Sequence, residues 1–267
     1  MHAPIKLSSP ETHEFWEIPT LFEDEHLLAI DKPRGLLISP DIAAPERPSL
    51  MELMHRAIRD GKPWAKERGL EYLANAQRLD PEIGGVLLLA KSKTILIKLA
   101  NLLGAEKPHR HYLVFAQGEP SSDRLEMGAS IGPFPGREGM MRVDPKHGKR
   151  ARTIFEVKER FDGFTLIRCE AWTERRHQVR VHLQNLGIPV VGDRRYGGRP
   201  LLLSQLKGDY RLKPGKEERP LLEYPAVHME EIAIEHPVTG APLSIRAEWP
   251  KEFSVAVKYL RRYAALP

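Results

Sequence analysis

Cysteine is almost missing from this chain of 267 residues, in which Cys169 stands alone. A single thiol cannot close an intrachain disulfide, so a reducing compartment is expected. No run of 18 apolar residues occurs, which leaves no segment to cross a membrane as a helix. The N-terminus lacks the basic-then-apolar order of a signal peptide. These absences point to a cytoplasmic chain with no membrane partner. Nucleotide signatures are missing too: there is no Gly-Lys-Ser/Thr phosphate loop and no Gly-x-Gly-x-x-Gly after a strand. No Gly-x-Ser-x-Gly nucleophile elbow occurs either. His109 and His111 share one face at strand spacing, but no third ligand in a recognisable motif joins them, so no metal is expected. No internal repeat and no sharp shift in composition divides the chain.

What is present is a sufficient core and a basic excess. Hydrophobic residues make up 41%, enough to pack without disulfides or metals. Net charge is +5 and the pI about 9.2. The excess is uneven. Arg137 to Arg152 carries six Lys/Arg against Glu138 and Asp144, and Arg194 to Arg219 carries eight against Asp209, Glu217 and Glu218. Such runs are solvated faces in most proteins. Flanking candidate catalytic motifs, they favour contacts to phosphates.

The pattern of apolar residues predicts an irregular arm over residues 1–18, then strand, turn and strand over 21–30. A helix is expected over 49–59, with Leu50, Leu53, Met54, Ala57 and Ile58 on one face and Ser49 as its cap. A second helix spans 94–103 and closes at Gly104. A strand follows over 111–117, and 155–172 reads as a hairpin turned at Asp162-Gly163. Helical spacing returns over 177–186, and late strands are expected at 232–234 and 243–249. Strands dominate without regular alternation with helices, so the fold class is α+β rather than doubly wound.

The richest stretch runs from Gln77 to Lys91. The polar residues Gln77, Arg78 and Asp80 meet a turn, and the turn feeds a continuous apolar run. Pro81 fixes its own φ, Gly84-Gly85 reach backbone angles that other residues resist, and Val86 to Ala90 reads as a buried strand. An acid is thereby held at the mouth of a rigid element. An Asp-Pro turn before a core strand has the same local pattern. The whole run, however, resembles the catalytic motif of RluA-type RNA pseudouridine synthases, with Arg78, Leu79, Asp80, Gly85, Leu87, Leu88, Leu89, Ala90 and Lys91 in register. Gln77 stands where that family usually has His, and Gly84 where it usually has Ser.

Further blocks extend the resemblance in the family's order. Asp31-Lys32-Pro33-Arg34-Gly35-Leu36 is similar to its Asp-Lys-Pro-x-Gly-Leu turn. Arg110-His111-Tyr112 is similar to its Lys-x-Tyr motif. Lys149-Arg150-Ala151-Arg152-Thr153 is similar to a Lys-x-Ala-x-Thr hairpin. Thr173 to His182 matches Thr-Gly-Arg-Thr-His-Gln-Ile-Arg-Val-His at Thr173, Arg175, His177, Gln178, Arg180, Val181 and His182, with Glu174 for Gly and Arg176 for Thr. Gly187 to Gly197 matches Gly-x-Pro-x-x-Gly-Asp-x-x-Tyr-Gly, and the closing strand carries the His-Pro-x-Thr-Gly turn. The matching segments run from about 21 to 250.

The resemblance implies an α+β pseudouridine synthase fold, a mixed, mostly antiparallel central sheet with a catalytic cleft and flanking helices. It implies one catalytic domain over 19–267 after the arm, with no room for the RNA-binding S4 domain of many relatives. Asp80 becomes the catalytic acid, Arg180 its charged partner and Tyr112 the ring packed on the uracil. Arg78, Arg150, Arg152, Arg175, His177 and Gln178 become RNA contacts. The partner is structured RNA, ribosomal or transfer, the chain is a monomer, and no cofactor or metal is required. The departures at Gln77, Gly84 and Glu174 motivate one alternative, a catalytically silent RNA-binding module on the same fold.

Overall fold

A computed structural model describes residues 3–42, 44–105, 109–212 and 215–266. In chain order the elements are β1 (Ile5–Ser8), β2 (Phe15–Ile18), β3 (Thr20–Glu23), β4 (Leu27–Lys32), α1 (Leu50–Arg59), α2 (Pro63–Glu67), β5 (Ala74–Asn75), β6 (Gly84–Ala90) and α3 (Lys93–Gly104). Then come β7 (His109–Gln117), β8 (Arg124–Met127), β9 (Ile131–Pro133), β10 (Met141–Val143), β11 (Thr153–Phe161), β12 (Phe164–Ala171), α4 (Gln178–Asn185), α5 (Leu203–Leu206), β13 (Val227–Glu235), β14 (Pro242–Arg246) and α6 (Lys251–Tyr263). A short 3-10 turn covers Arg194–Tyr196. The fold is α+β, with mixed, mostly antiparallel sheet and helices beside it, as the sequence predicts.

Two compact units form, Met1–His109 with Met229–Glu248, and Arg110–His228 with Trp249–Pro267. In the first, the strands run in the order β3, β4, β6, β13, with β14 on β13 and β5 on β6. Every residue of β6 is buried, which is why its apolar run is unbroken by polar side chains. Helix α3 packs on β6 and opens at Ser92, whose hydroxyl accepts from the Ile95 N–H at 3.3 Å. In the second unit β7, β12, β11 and β8 follow one another, all antiparallel. The β11–β12 hairpin turns at Asp162-Gly163 as expected, with Gly163 at φ +72°. Helix α4 packs on β11 and β12. Helix α6 drives Phe253 against Phe115, ring centroids 5.2 Å apart.

Several local expectations need correction. The predicted irregular arm is a hairpin, β1 pairing with β2 from Ile5–Ile18 to Ser8–Phe15, while Met1 and His2 lie outside the described residues. Its buried Ile5, Leu7 and Ile18 alternate with exposed polar positions over too few residues to signal a strand. Ser49 sits at the N-cap of α1, but its hydroxyl bonds the Glu52 carboxylate at 3.4 Å and caps no backbone N–H. Gly104 is the last helical residue of α3 and Ala105 follows it as the cap. Strand β14 ends at Arg246, short of Trp249, and Pro250 stands at the N-cap of α6.

Candidate active site

The first unit carries Asp80. The Ile83 N–H bonds the Asp80 carbonyl at 3.0 Å, closing a turn with Pro81 in its second place, where a fixed φ suits it. Leu79 and Ile83 are buried on either side, while Asp80 is half-buried and Arg78 exposed. The loop is held from beneath. The Pro81 carbonyl accepts from the Gly35 N–H at 2.9 Å. The Lys32 ammonium, 1% exposed, donates to the carbonyls of Pro33, Pro81 and Ile83 at 2.9, 3.1 and 2.9 Å. Three donors thus meet three acceptors. Burial pulls the Lys32 ammonium down to about 7. Beside it, burial pushes Asp31 up to about 6, against the Gly85 N–H and Arg34, which pull it down.

The two departures in this loop have local explanations. Gln77 is buried and donates from Nε2 to the Val86 carbonyl at 2.8 Å, tying the approach segment to β6. A methyl group on Gly84 would stand 2.8 Å from the Lys32 carbonyl and 3.1 Å from Arg34 Cγ, so this backbone has no room for Ser. Gly85, at φ +114°, lies so close to the Met229 backbone that any side chain would collide with it.

The second unit carries Tyr112 and Arg180. Tyr112 lies on β7 opposite Cys169 of β12 and is half-buried. Two places before it, Arg110 is buried and pairs with Glu174 at 3.4 Å. The Glu that replaces a Gly therefore meets the Arg that replaces a Lys. Arg180, in the first turn of α4 and 1% exposed, forms a fork with Asp193: Nε to Oδ2 at 2.6 Å and Nη2 to Oδ1 at 2.9 Å. Its guanidinium also lies 5.1 Å from the Tyr196 ring centre. A bidentate fork of this kind fixes both position and plane of the guanidinium. Asp193 was visible in the sequence only as part of a Gly-rich loop, although a buried Arg requires a carboxylate.

The start of α4 is fixed by a polar chain. Thr173 Oγ1 donates to Gln178 Oε1 at 2.8 Å, and Gln178 Nε2 donates to Thr153 Oγ1 at 2.9 Å and to the Arg152 carbonyl at 3.0 Å. Because His182 Nε2 faces the Ala129 carbonyl at 3.0 Å, it carries the proton there. Its Nδ1 is left to accept from the Thr153 hydroxyl at 2.9 Å. Burial lowers the His182 pKa, which suits this neutral form. His177 precedes the helix in the left-handed region at φ +57°, strained for a residue with a side chain. Its Nδ1 lies 2.6 Å from the Tyr196 hydroxyl, which also accepts from the Met141 N–H at 3.0 Å.

The expected RNA contacts thus fall into two kinds. His177 and Gln178 are buried with internal partners. Arg78 and Arg150 are exposed. Arg175 donates from Nε to the Arg150 carbonyl and from Nη1 to the Glu174 carbonyl at 3.0 and 3.1 Å. Arg152 grips Glu126 at 2.7 and 3.3 Å and lies 4.4 Å over the Trp172 ring. Lys213, within the second basic run, lies outside the described residues. Among the described residues no group of three His, Cys, Asp or Glu side chains is placed to hold a metal, and no helix is long and apolar enough to cross a membrane.

Comparison with known proteins bears on this geometry. A family model described as RNA pseudouridylate synthase matches residues 26–185. The ribosomal large subunit pseudouridine synthase D of Xylella fastidiosa is 31% identical over 257 residues, 92% of this chain and 70% of that protein. The protein of the same name from Pseudomonas aeruginosa is 30% identical over 256 residues, 92% of this chain and 72% of that one. Among solved structures, human RNA pseudouridylate synthase domain containing 4 superposes with a TM-score of 0.67 at 20% identity, covering 91% of this chain and 92% of that one. These structural likenesses support the fold.

Proposed function

Since this chain belongs to the RNA pseudouridylate synthase family, we propose that it converts specific uridines of ribosomal RNA to pseudouridine through Asp80. In the isomerisation the bond from N1 of uracil to C1′ of ribose breaks. The base turns, C5 bonds to C1′, the C5 proton leaves and N1 is protonated. Atoms and electrons balance within one nucleotide, so the reaction needs no redox cofactor and no phosphoryl donor. The observation that carries the proposal is the Asp80 turn, a half-exposed carboxylate on backbone held by Lys32, Gly35 and Ile83. Such preorganisation is what a group acting on the ribose at or near C1′ requires.

In this reading Tyr112 stacks on the uracil, and Arg180, locked by Asp193, supplies a fixed positive charge to the reaction. Arg78 meets the RNA from the first unit and Arg150, Arg152 and Arg175 from the second, where His177 and Gln178 shape the start of α4. The target uridine leaves its stack to react, as in other base-modifying enzymes. The catalytic domain spans 19–267 and acts as a monomer. The two bacterial relatives are named ribosomal large subunit pseudouridine synthase D, which makes the RNA of that subunit the first substrate to test.

The test is tritium release from RNA transcribed with 5-tritiated uridine. Asp80→Asn keeps the shape and loses the charge, so it should fold, bind RNA and release no tritium. Wild-type release by the folded variant would show Asp80 to be only a turn residue.

A further inference from the structure

Two exposed arginines in the second unit converge on one point. Arg176 takes the place of a Thr in the motif that it interrupts, and Arg195 sits in a variable place between Asp193 and Tyr196. A methyl group built on Gly139 would stand 3.5 Å from Arg176 Nη2 and 3.8 Å from Arg195 Nη1. Gly139 lies at the tip of the β9–β10 hairpin with φ +72°, a conformation that favours glycine, and the absent side chain leaves the space between the guanidiniums open.

The convergence is built in. Within the hairpin tip the Phe134 N–H bonds the Met140 carbonyl at 2.9 Å, and the Met140 N–H bonds the Arg137 carbonyl at 3.1 Å. Met140, Met141 and Val143 pack on the core of Ile131, Ala151, Val181 and Tyr196. One hydroxyl then sets all three segments. Tyr196 follows Arg195, His177 follows Arg176, and Met141 lies two residues past Gly139, and both His177 and Met141 bond the Tyr196 hydroxyl. Three nearby acids are committed elsewhere, Glu174 to Arg110, Asp193 to Arg180 and Asp144 to Arg142, while Glu138, beside Gly139, is exposed and pairs with neither arginine. Among the described residues neither Arg176 nor Arg195 has an ion-pair partner. Two like charges brought together repel unless an anion lies between them. A guanidinium pair beside bare backbone suits a phosphate, whose oxygens accept forked hydrogen bonds.

We propose that Arg176 and Arg195 clamp a backbone phosphate of the RNA over Gly139, with Arg137, stacked 4.9 Å over the Phe134 ring, at the rim of the same site. This clamp rests on the reading of RNA as substrate and adds a contact that none of the family motifs contains. It binds phosphodiester charge and reads no sequence.

The experiment is a binding titration of the full chain with a fluorescein-labelled RNA stem-loop across a series of potassium chloride concentrations. The double variant Arg176→Gln/Arg195→Gln should bind roughly tenfold more weakly at low salt. Its log–log salt slope should be shallower by about 0.7 to 0.9, the increment for one phosphate. Arg176→Lys/Arg195→Lys keeps the charge and should keep the slope, which separates lost contact from lost fold. Lys258→Gln, exposed on α6, should leave the slope unchanged. A wild-type slope in the double Gln variant overturns the clamp alone. So does equal flattening by Lys258→Gln, which would mark a general loss of charge. Salt-independent or absent RNA binding by the wild type overturns the clamp together with the RNA reading.

Discussion

Tyr112 illustrates how a single side chain separates binding from chemistry. It is half-buried on β7 opposite Cys169. If stacking is its whole contribution, Tyr112→Phe should retain RNA modification while Tyr112→Ala loses about 1–3 kcal/mol of base contact. If the hydroxyl also helps remove the C5 proton, the Phe variant should bind normally and stall after the glycosidic bond breaks. Single-turnover assays on the two variants distinguish these outcomes, and wild-type turnover in both would reduce Tyr112 to a strand residue. Gly84 poses the opposite case, a position where a relative's residue should fail. Gly84→Ser places Cβ 2.8 Å from the Lys32 carbonyl, in a strand pair where Lys32 stands opposite Gly85. Overpacking against backbone should cost about 1–3 kcal/mol, which a thermal melt would register as a drop of several degrees.

At the level of elements, the catalytic loop depends on β4 as much as on its own turn. Lys32 holds two carbonyls of the loop, so Lys32→Met should leave β4 paired with β6 but strip those carbonyls of a donor. Pro81 keeps the Gly35 N–H, but the Ile83 carbonyl is orphaned, at a cost of about 1–3 kcal/mol unless water reaches it. The expected result is a folded protein with a mobile Asp80 turn, and a rate of pseudouridine formation at least tenfold lower at saturating RNA. An unchanged rate would free the loop of Lys32. That clamp was not legible in the sequence, because lysine is ordinarily solvated and only three-dimensional packing reveals a buried one. Asp193 escaped for a related reason: its partner Arg180 lies on another element, and no local period links them. By contrast β6 and the β11–β12 hairpin were legible, since an unbroken apolar run and an Asp-Gly turn are local signals. Helix α6 carries Phe253, Ala256, Val257 and Leu260 at helical spacing, a local signal that directly follows the late strand expected over 243–249.

Across the whole molecule, stability should respond to pH through two neighbours on β4 with opposite signs. Asp31 is raised from 3.8 to about 6 by burial, with Glu248 adding to the rise and the Gly85 N–H, Arg34 and Lys32 opposing it. Between about pH 4 and 6 the folded protein therefore keeps a proton that the unfolded chain has lost, and stability falls as pH rises through that window. Lys32 is lowered from 10.5 to about 7 by burial, with Glu82 and Asp80 opposing. Between about pH 7 and 10 the unfolded chain keeps a proton that the folded protein has released, so stability rises with pH there. Each shifted unit corresponds to about 1.4 kcal/mol, which bounds each limb at a few kcal/mol. Together the pair should carve a shallow minimum near pH 6–7, superimposed on the loss expected in acid from carboxylates such as Asp24, whose pKa the Leu27 and His26 N–H groups and His236 lower. Melting temperatures measured from pH 4 to 10 isolate the two limbs by difference. Asp31→Asn should gain stability relative to the wild type as pH rises through 4 to 6. Lys32→Met should lose stability relative to it from 7 to 10. Difference curves flat across both windows would mean that these groups titrate alike in the folded and unfolded chain, and that β4 carries no buried charge.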